Sequence, residues 1–480
     1  MSDRRIFFGL LVIFFLAVMV RGISFQFDGF FDPDSHFHSR LSQQIADTHS
    51  LIDWDALSLQ GRVYSYPPLL HVLAGSLSVV SGLSTSIVLK IVGVLIGSLL
   101  VFSVYLLSAE ISKSNAVGLW SSLFAGVSSI TVWRTAGYLR PDALAVTLIP
   151  LLLFFWITKR NFLAGFLSLG LVLLHPLSAF VYAILLGCGW FWQFFKRENV
   201  SFAIPAALAG MFVLFWLWFF SIGLPFDSYV SPLSLEASEL TSFLAMGYIL
   251  FFPFVWAFGV VGVWKTKIPE TLWVWTLIAF SASLFGPRLA AYFVPFYSIL
   301  GGYGVFWVIG KIRLSVVTRS LFLVMVIVLG VATVWTVMSN IDPYLSDAEK
   351  SSLSFLSDYS NPGESILTIW DQGHAVGYYT GLPLVLDGYF EFAHELLERD
   401  KSSKDAYRTN DCGEFTDAMD SFNAVYFYLS SSELYSPLSK NGILELDNCE
   451  NVGIIFSSSN AFIFERRKTV SSSPMQLVIG

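Results

Sequence analysis

Four side chains capable of metal binding or proton transfer fall within seven residues, directly after the first apolar run of the chain. They are Asp32, Asp34, His36 and His38, in the segment FFDPDSHFHSR (30–40). Carboxylate oxygens suit Mg²⁺ or Mn²⁺, and added histidines favour Mn²⁺. The segment is equally typical of a helix start, with an aspartate as the cap and Pro33 in the first turn. Arg40 would then pair with Asp34 or His36.

Further charged residues lie at the ends of later apolar runs. They are Arg140 and Asp142 in TAGYLRPDALAV (135–146), Glu236 and Glu239 in the segment 222–243, and Arg288 in LFGPRLAAYF (284–293). A charged residue at membrane depth is costly and usually has a partner or a task. Arg288 suits a phosphate or diphosphate group, since a guanidinium matches the geometry of phosphate oxygens.

Each of these later residues also has an ordinary structural interpretation. Asp142 can cap a helix, and Glu236 and Glu239 can lie on a solvated loop. Arg288 can anchor its helix at the bilayer interface by snorkelling. The functional interpretation therefore depends on the elements that bring these side chains to one side of the membrane.

The composition identifies those elements as membrane helices. Of the 480 residues, 55% are apolar and 13% are charged, with a mean hydropathy of +0.65. Soluble domains carry about 25% charged residues. Apolar runs of bilayer length recur along the chain, so the predicted class is a polytopic α-helical membrane protein. The net charge of −7 argues against nucleic acid as a partner, and three cysteines are too few for a disulfide framework.

Eleven apolar runs are predicted to cross the membrane. They are 6–23, 86–108, 116–133, 143–158, 162–175, 177–195, 201–221, 243–264, 271–285, 289–310 and 320–338. Arg4 and Arg5 precede the first run, so the positive-inside rule predicts a cytoplasmic N-terminus. A cleaved signal peptide is the alternative, but no small-residue cleavage site follows Val20.

The basic residues between the runs support this topology, because the clusters that follow even-numbered runs all fall on the cytoplasmic side. The acidic segments and the C-terminal region (339–480) then lie outside, in a predicted plasma-membrane protein. The segment 64–82 is interpreted as a helix in the outer interface, within a long first external loop (24–85). If that segment crossed the bilayer, all later sidedness would invert. The runs 143–158 and 162–175 are short, so the number of membrane crossings can be wrong by two. An even error leaves the later segments on the same side of the membrane.

Residues 339–480 are predicted to form a small extracytoplasmic α/β domain, separate from a membrane domain at 1–338. Strands are predicted at 365–370, 382–388, 422–430 and 461–467, and a helix at 389–399. Cys412 and Cys449 both fall in this domain, and a disulfide between them is compatible with the compartment.

Three residues of this domain are candidate site residues. Trp370, Asp371 and His374 would lie at the end of the first strand and in the turn after it. The structural alternative places Trp370 in the core, makes Asp371 a cap and gives His374 a packing role.

The order of these segments resembles the GT-C superfamily of membrane glycosyltransferases, and within it the catalytic subunit of archaeal oligosaccharyltransferases. The matching segments are FDPDSHFHSR (31–40), GRVYSYPPLLHVLAG (61–75), WRTAGYLRPDALAV (133–146), GPRLAAYFVPFYSILGGYG (286–304) and ILTIWDQGHAVGYYTGLPLVLDG (366–388). The first and third resemble the two acidic motifs of the family, with Asp32 and Asp142 as the acids. The fourth resembles the helix with the substrate-binding arginine, and the last resembles the tryptophan–aspartate–glycine motif that opens the external domain.

The resemblance implies an enzyme that transfers a sugar or oligosaccharide from a polyprenyl (dolichyl)-phosphate-linked donor to an acceptor outside the cytoplasm. It implies the following roles: Asp32 as catalytic residue and, with Asp142, as ligand of Mg²⁺ or Mn²⁺; Arg288 at the donor phosphate; Glu236 or Glu239 in acceptor activation; Trp370 and Asp371 in acceptor binding. Asp34, His36, His38, Arg140 and His374 are secondary candidates.

Departures from the family pattern bear on the acceptor. The family motif has two tryptophans, an aspartate, an aromatic residue and a glycine, whereas this chain has IWDQG (369–373). Only one tryptophan is left to recognise the Ser or Thr of an Asn-x-Ser/Thr acceptor. Arg140 replaces one metal-capable residue of the second acidic motif, and the chain is short for the family. A protein asparagine is therefore one expected acceptor, and a lipid or polysaccharide is the alternative.

Two functions of other classes are also considered. A transporter would show internal repeats and charges at mid-membrane, whereas the carboxylates here cluster at helix ends. A non-catalytic surface assembly protein would explain the external domain but not the acid-lined loops. The sequence has no Rossmann-type glycine fingerprint for a nucleotide sugar, which is consistent with a lipid-linked donor.

Overall fold

The computed structural model describes most of the chain. The described ranges are 3–64, 66–137, 140–196, 253–283, 287–311, 316–338, 343–389, 395–430 and 448–467, with isolated positions at 210, 213, 446 and 478–479. These residues form two compact units. The helical unit contains 3–28 and the described residues from 67 to 338, and the mixed unit contains the described residues of 29–66 and 343–479.

The helices of the described residues, in chain order, are α1 Asp3–Arg21, α2 Pro33–Thr48, α3 Leu69–Ser81, α4 Thr85–Ser112, α5 Asn115–Gly126, α6 Ser129–Val132, α7 Pro141–Ile157, α8 Asn161–Leu174, α9 Pro176–Phe195, α10 Pro253–Lys265, α11 Glu270–Ser283, α12 Pro287–Lys311, α13 Val316–Met338, α14 Asp347–Tyr359, α15 Trp370–Thr380, α16 Leu396–Arg408 and α17 Cys412–Asp420. A π-helical turn, Trp133–Gly137, continues α6. The strands are β1 Trp54–Asp55, β2 Arg62–Val63, β3 Ser365–Leu367, β4 Ala424–Ser430, β5 Val452–Ser457, β6 Ala461–Arg466 and β7 Val478–Ile479. Helices therefore dominate the described part of the chain.

Local sequence explains where several helices of the helical unit begin and end. Ser84 caps α4 by accepting a hydrogen bond of 3.4 Å from the Ile87 amide, and Ser114 caps α5 in the same way. Lys113 ends α4 in the left-handed conformation, with φ of 51°. A break follows α5, and its axis is bent by 55° from the segment Ser129–Ala136. An interrupted helix leaves carbonyl groups that need other partners.

The expected count of eleven membrane-crossing helices is not confirmed by the described residues. Among the described residues, four helical segments are long and apolar enough to span a bilayer, and a fifth counts if the bent pair is one span. The four are Asp3–Gln26, Thr85–Ser112, Pro176–Phe195 and Leu289–Lys311. Four further apolar helical segments of 10–17 residues are present among the described residues: Leu69–Ser81, Pro141–Ile157, Asn161–Leu174 and Ser320–Thr336. The second and third correspond to the two short runs predicted at 143–158 and 162–175. A multi-pass membrane protein is supported, while the count of eleven is not confirmed. The predicted run 201–221 and the first part of 243–264 lie outside the described ranges.

Close helix packing in the helical unit depends on the GGYG run of α12. A Cβ atom at Gly304 would collide with the carbonyl of Phe258 in α10. A Cβ atom at Gly302 would collide with Ser121 in α5. Glycine therefore lets α12 pack against both neighbours at backbone distance.

The mixed unit contains a sheet with the strand order β3-β4-β6-β5-β7 among the described strands. β3 pairs parallel with β4, and β6 pairs antiparallel with β4 and β5. Side chains alternate across β4, so Tyr426 and Tyr428 lie in one core with α14 and α15, whereas Phe427 and Leu429 lie in another with α16 and α17. Helices thus cover both faces of the sheet.

Cys412 and Cys449 form a disulfide in the mixed unit, across 37 residues of sequence. Their Cα atoms are 5.7 Å apart, which is within the usual range for a disulfide. The disulfide left open by the sequence is therefore present.

The predicted elements of the C-terminal region are confirmed in part. The strands predicted at 422–430 and 461–467 match β4 and β6. The segment 382–388 is not a strand, because only isolated bridges join Leu384 to Ile366 and Ser58. The helix predicted at 389–399 is displaced, since α16 begins at Leu396 and residues 390–394 lie outside the described ranges.

The first loop also contributes to the mixed unit. Leu59 donates its amide hydrogen to the carbonyl of Leu384, and the Leu384 amide donates to the carbonyl of Leu57, both at 2.8 Å. The residues Gly29–Tyr66 therefore cluster with the C-terminal residues rather than with the helical unit.

Candidate active site

Asp32 is the N-cap of α2. Its Oδ1 accepts a hydrogen bond of 2.9 Å from the Ser35 amide, and its Oδ2 accepts one of 2.6 Å from the Ser35 hydroxyl. Pro33 follows as the first helical residue, where its missing N–H has no cost. Asp32 therefore acts as a helix cap, as the structural interpretation predicted.

His36 lies one turn into α2 in an aromatic environment. Its Nδ1 is 3.0 Å from the carbonyl oxygen of Asp32. The rings of Phe30 and Tyr378 lie 5.0 and 5.4 Å from its ring centroid. Burial lowers the pKa of His36 to about 3, more than the hydrogen bond to Asp32 raises it. His36 is therefore a neutral side chain at physiological pH.

His38 and Asp34 occupy other faces of α2. His38 is buried, and its ring packs against Phe37 and Tyr66 at centroid distances of 5.4 and 5.2 Å. Asp34 is half-buried in the first turn and lies within electrostatic range of His374. The four candidates of the first loop thus share one helix but not one ligand sphere.

Trp370, Asp371 and His374 lie on a helix and not in the predicted strand end and turn. They belong to α15, which begins at Trp370, and Gly373 and Gly377 let this helix pack closely on residues 384–387. His374 is buried, and its ring lies 4.6 Å from that of Phe37 in α2. Helices α2 and α15 therefore pack directly on each other.

Asp371 offers an unsatisfied acceptor in the first turn of α15. Burial raises the pKa of its carboxyl to about 6, against the opposing effect of the backbone amides of Asp371 and Gln372. Among the described residues, its Oδ1 atom is buried and has no hydrogen-bond partner. The backbone carbonyl of Asp371 accepts a 2.8 Å hydrogen bond from the Tyr344 hydroxyl, which fixes this turn. The side chain can accept a bond from a ligand hydroxyl or amide.

The residues that flank Trp370 and Asp371 belong to the protein core. Ile369 is buried, and the Gln372 side-chain oxygen accepts a bond of 3.1 Å from the Tyr407 hydroxyl. Trp370 itself is half-buried. Positions 369 and 372, where the chain departs from the family motif, are thus used for packing.

Sequence reasoning missed a buried ionic chain in the mixed unit. Arg40, for which the capping interpretation suggested Asp34 or His36 as partner, binds Asp55 with two hydrogen bonds of 2.7 and 3.0 Å. Arg62 binds the same carboxylate at 2.8 Å and binds Asp387 with bonds of 2.8 and 2.6 Å. The hairpin of β1 and β2 places Asp55 opposite Arg62. That local pairing was detectable, whereas nothing in the sequence links Arg62 to Asp387, 325 residues away.

These groups stay charged inside the protein. Burial opposes the ionised form of Asp55, but Arg40 and Arg62 outweigh it and hold the pKa of Asp55 below its ordinary value. Burial likewise opposes ionisation of Asp387, and Arg62 again lowers its pKa. The pKa of Arg62 is raised by the two carboxylates, against the effect of burial. The network therefore has two cations and two anions at all physiological pH values.

In the helical unit, Asp142 pairs with a residue that sequence reasoning did not select. Asp142 lies in the first turn of α7, and its Oδ2 is 3.2 Å from Nη2 of Arg134. Arg140 is buried at the N-cap position of α7, where its side chain makes no capping hydrogen bond. Asp142 is therefore not the cap of this helix, contrary to its structural interpretation.

A second polar group in the helical unit also escaped sequence reasoning. The Tyr292 hydroxyl is 2.5 Å from the Ser178 hydroxyl, which in turn is 2.7 Å from Nδ1 of His175. His175 also caps α9. Tyr292 lies four residues after Arg288 on α12. A signal for this group was the polar Ser178 three residues after His175 in an otherwise apolar run.

Several predicted site residues lie beyond these observations. Glu236 and Glu239 fall outside the described ranges, as does the side chain of Arg288, whose backbone is in the first turn of α12. Asp32 and Asp142 belong to different compact units. Their convergence with Arg288 on one pocket stays a prediction.

The described residues do not by themselves make a metal site. No group of three His, Cys, Asp or Glu side chains in the described ranges is placed to hold a metal ion. Asp142 is paired with Arg134, and both Asp32 oxygens accept hydrogen bonds from Ser35. No step of the reaction is therefore derived through a cation.

The fold is shared with known membrane glycosyltransferases. The apo oligosaccharyltransferase of Archaeoglobus fulgidus matches with a TM-score of 0.70 at 13% identity, over 98% of this chain and 75% of that one. ArnT from Cupriavidus metallidurans matches with a TM-score of 0.56 at 12% identity, over 99% and 100% of the two chains. The chain has the GT-C fold.

A third GT-C structure, the arabinofuranosyltransferase AftD from Mycobacteria, matches with a TM-score of 0.57 at 13% identity, over 98% of this chain and 40% of AftD. No family model and no curated protein sequence matches the chain. The structural comparison thus confirms the GT-C fold predicted from the order of the motifs, although the overall sequence identity is low.

Proposed function

We propose that the chain is a GT-C glycosyltransferase that moves a sugar or oligosaccharide from a polyprenyl-phosphate-linked donor to an acceptor on the extracytoplasmic side. The observation that carries this proposal is the extent of the fold match, which covers 99% of this chain and the whole of ArnT. A shared fold alone does not define a reaction. The acid-bearing helix α2 and the placement of Trp370 and Asp371 on α15 supply the site-level support.

The donor class follows from what the neighbours bind. The Archaeoglobus oligosaccharyltransferase was solved with a dolichol-phosphate and an inhibitory peptide, and ArnT with undecaprenyl phosphate. We assign Arg288 to the donor phosphate, at the N-terminal end of α12. A guanidinium and a helix N-terminus both stabilise the negative charge of a departing phosphate.

Asp32 is the proposed catalytic carboxylate. Its cap geometry fixes the orientation of the carboxylate through two hydrogen bonds from Ser35, and a fixed carboxylate can orient or deprotonate an acceptor nucleophile. Glu236 and Glu239 both remain candidates for activation of an acceptor amide. Asp34, His38 and His374 lie in the same unit as Asp32 and stay secondary candidates, as does Arg140 of the helical unit, whereas the neutral and buried His36 serves packing.

The acceptor would bind at the first turn of α15. Trp370 is half-buried and provides an aromatic face, and the free Oδ1 of Asp371 accepts a hydrogen bond from a hydroxyl or amide. We propose a protein asparagine as the acceptor, by analogy with the Archaeoglobus enzyme, which was solved tethered to an acceptor peptide containing the NVT sequon. The alternative is a lipid or polysaccharide acceptor, which is favoured by the burial of Ile369 and Gln372.

A divalent cation, Mg²⁺ or Mn²⁺, is the proposed cofactor, and Asp32 in the mixed unit and Asp142 in the helical unit stay its candidate carboxylate ligands, each within its own unit. Such an ion would neutralise charge on the donor phosphate. The Archaeoglobus enzyme was crystallised with Zn and sulfate. The test is chelation: EDTA should abolish transfer and added Mn²⁺ should restore it. Full activity after exhaustive chelation would remove the cation from the proposal.

The orientation is also a proposal. The N-terminus is placed in the cytoplasm, and the mixed unit outside the plasma membrane. The disulfide between Cys412 and Cys449 supports this placement, because disulfides persist in oxidising compartments. A non-catalytic transporter or surface assembly protein is the remaining alternative function.

The proposal is tested with membranes supplied with a labelled polyprenyl-phosphate sugar and either an Asn-x-Thr peptide or a lipid extract. The native chain should label one of the two acceptors. Absence of transfer from every polyprenyl-linked donor would contradict the proposed function. The acceptor that becomes labelled decides between the two acceptor classes.

Two substitutions separate catalysis by Asp32 from its capping role. Asp32→Asn keeps an oxygen for the Ser35 amide but removes the charge, whereas Asp32→Ala removes both. A catalytic Asp32 predicts that both variants lose transfer at least about 100-fold. A pure cap predicts near-native transfer for Asp32→Asn and a loss of about 1 kcal/mol in the unfolding free energy for Asp32→Ala.

A further inference from the structure

We infer that Arg62 is a positioning residue that holds the catalytic helix α2 in register with the acceptor-binding helix α15. This inference rests on the proposed function for the roles of the two helices. Its structural basis is the ionic chain Arg40–Asp55–Arg62–Asp387, defined here as the clasp. All four residues belong to the mixed unit.

The first half of the clasp ties the hairpin to α2. Arg40 lies two turns after Asp32 on that helix, and its guanidinium binds both oxygens of Asp55. Asp55 is paired across β1 and β2 with Arg62. A bidentate bond restricts orientation as well as distance, so α2 has a fixed rotation relative to the hairpin.

The second half ties the hairpin to α15. Arg62 binds both oxygens of Asp387 and donates a 2.7 Å bond to the carbonyl of Tyr389. The segment around Asp387 lies against α15, since a Cβ atom at Gly388 would be 2.7 Å from Nε2 of His374. A Cβ atom at Gly373 would likewise collide with Leu386 and Asp387. A shift of Asp387 therefore moves the helix that begins with Trp370 and Asp371.

The clasp is well suited to positioning because it is buried and neutral overall. Arg62, Asp55 and Asp387 have exposed side-chain fractions of 2%, 2% and 4%. A buried ion pair adds little net stability over a well-packed apolar pair, but breaking one leaves an uncompensated charge. Its conspicuous property is thus geometric: one guanidinium is shared between two carboxylates, each near a different functional helix.

The test compares Arg62→Lys and Asp387→Asn with a matched but more exposed pair of the same unit, the half-buried Arg466 and the exposed Asp420. Arg466 also binds both oxygens of its partner, at 2.9 and 2.7 Å. The full-length protein in liposomes is assayed for transfer, with KM measured separately for donor and acceptor. The clasp variants should raise the acceptor KM at least about 10-fold while donor KM stays native. Arg466→Lys and Asp420→Asn should leave both KM values unchanged.

Hydrogen–deuterium exchange supplies a readout that does not need activity. In Arg62→Lys, amide exchange should accelerate at least about 5-fold in both 33–48 and 370–380, with no change in 412–420. Native exchange in both helices, or native acceptor KM in a transferring enzyme, would overturn the positioning role. If exchange accelerates in Arg62→Lys but the native protein transfers no sugar, the proposed function is contradicted. The positioning role of the clasp is then still supported. If Arg62→Lys is too unstable to assay, Asp387→Asn provides the same test, because asparagine keeps the shape of the aspartate side chain.

Discussion

Arg21 Nη1 donates a 2.7 Å hydrogen bond to the carbonyl oxygen of Gly126, 105 residues later in the chain. Gly126 ends α5, so this bond satisfies a carbonyl that the break in the helix leaves without an intrahelical partner. The same guanidinium donates to Thr135 at 2.8 Å, on the turn that also carries Arg134. A fully buried arginine thus stabilises the bend that leads to the Arg134–Asp142 pair.

Removing this side chain should destabilise the helical unit. Arg21→Met leaves buried carbonyl and hydroxyl acceptors without donors, so the unfolding free energy should fall by about 3 kcal/mol. The reaction of Cys188 in α9 with a thiol-specific dye, during heating in detergent, reports the unfolding midpoint. Arg160→Met, at an exposed position, is the control. Equal midpoints for the two variants would show that Arg21 is not a structural link.

Acceptor binding should weaken in acid through Asp371. Burial raises the pKa of its carboxyl to about 6, so the carboxylate that accepts a hydrogen bond becomes protonated between pH 7.5 and pH 5. Acceptor KM should rise about 10-fold over that range, because one pH unit below the pKa leaves about a tenth of the carboxyl ionised. Asp371→Asn should have a flat acceptor KM profile. A native profile that is equally flat would exclude Asp371 from acceptor recognition.

The same carboxyl has a consequence for stability. A carboxyl whose folded pKa is above its unfolded value binds its proton more tightly in the folded state, so its contribution to stability declines as pH rises from about 4 to 6. Asp371→Asn should therefore raise the melting temperature at pH 7.5 and leave it unchanged at pH 4. An unchanged melting temperature at both pH values would mean that the carboxyl is solvated.

His36 should make the mixed unit acid-sensitive. Burial lowers its pKa to about 3, so the unfolded chain takes up a proton below about pH 6.5 while the folded protein does not. The unfolding free energy should fall as pH drops from 6.5, with a slope approaching 1.4 kcal/mol per pH unit from this residue. Burial lowers the pKa of His374 as well, which adds to the slope. His36→Asn should reduce the slope, whereas His49→Asn, at an exposed site, should not.

The disulfide should stabilise the mixed unit. A disulfide between cysteines 37 residues apart lowers the conformational entropy of the unfolded chain. Loop-closure entropy predicts that this stabilises the folded unit by about 4 kcal/mol. Cys412→Ser should lower the melting temperature of the unit, and reductant should have the same effect on the native protein but none on the variant. Cys188→Ser, which removes the cysteine outside this bond, is the control. A native protein insensitive to reductant would show that the bond carries no stability.

Local signals in the sequence were enough for some elements of the site. Asp32, Pro33 and Ser35 define the start of α2 without help from distant residues, since the cap closes within one turn. The strand at 424–430 was predictable because its aromatic and branched residues suit both faces of a covered sheet. The segment after 367 was predicted as strand and turn but is helical from Trp370, because packing against residues 384–387 overrides a weak local preference.

The sequence by itself determined the class of protein, its long apolar helices and the order of motifs that resembles GT-C enzymes, since hydropathy and capping act over a few residues. Tertiary structure decided the partners of the charged side chains. Arg40 pairs with Asp55, Arg62 with Asp387, and Asp142 with Arg134 because folding brings these groups together in buried places, where an unpaired charge is too costly to keep. The pairing of Arg62 with Asp387, 325 residues later, leaves no periodic trace in a single chain, and it can be read only from the fold.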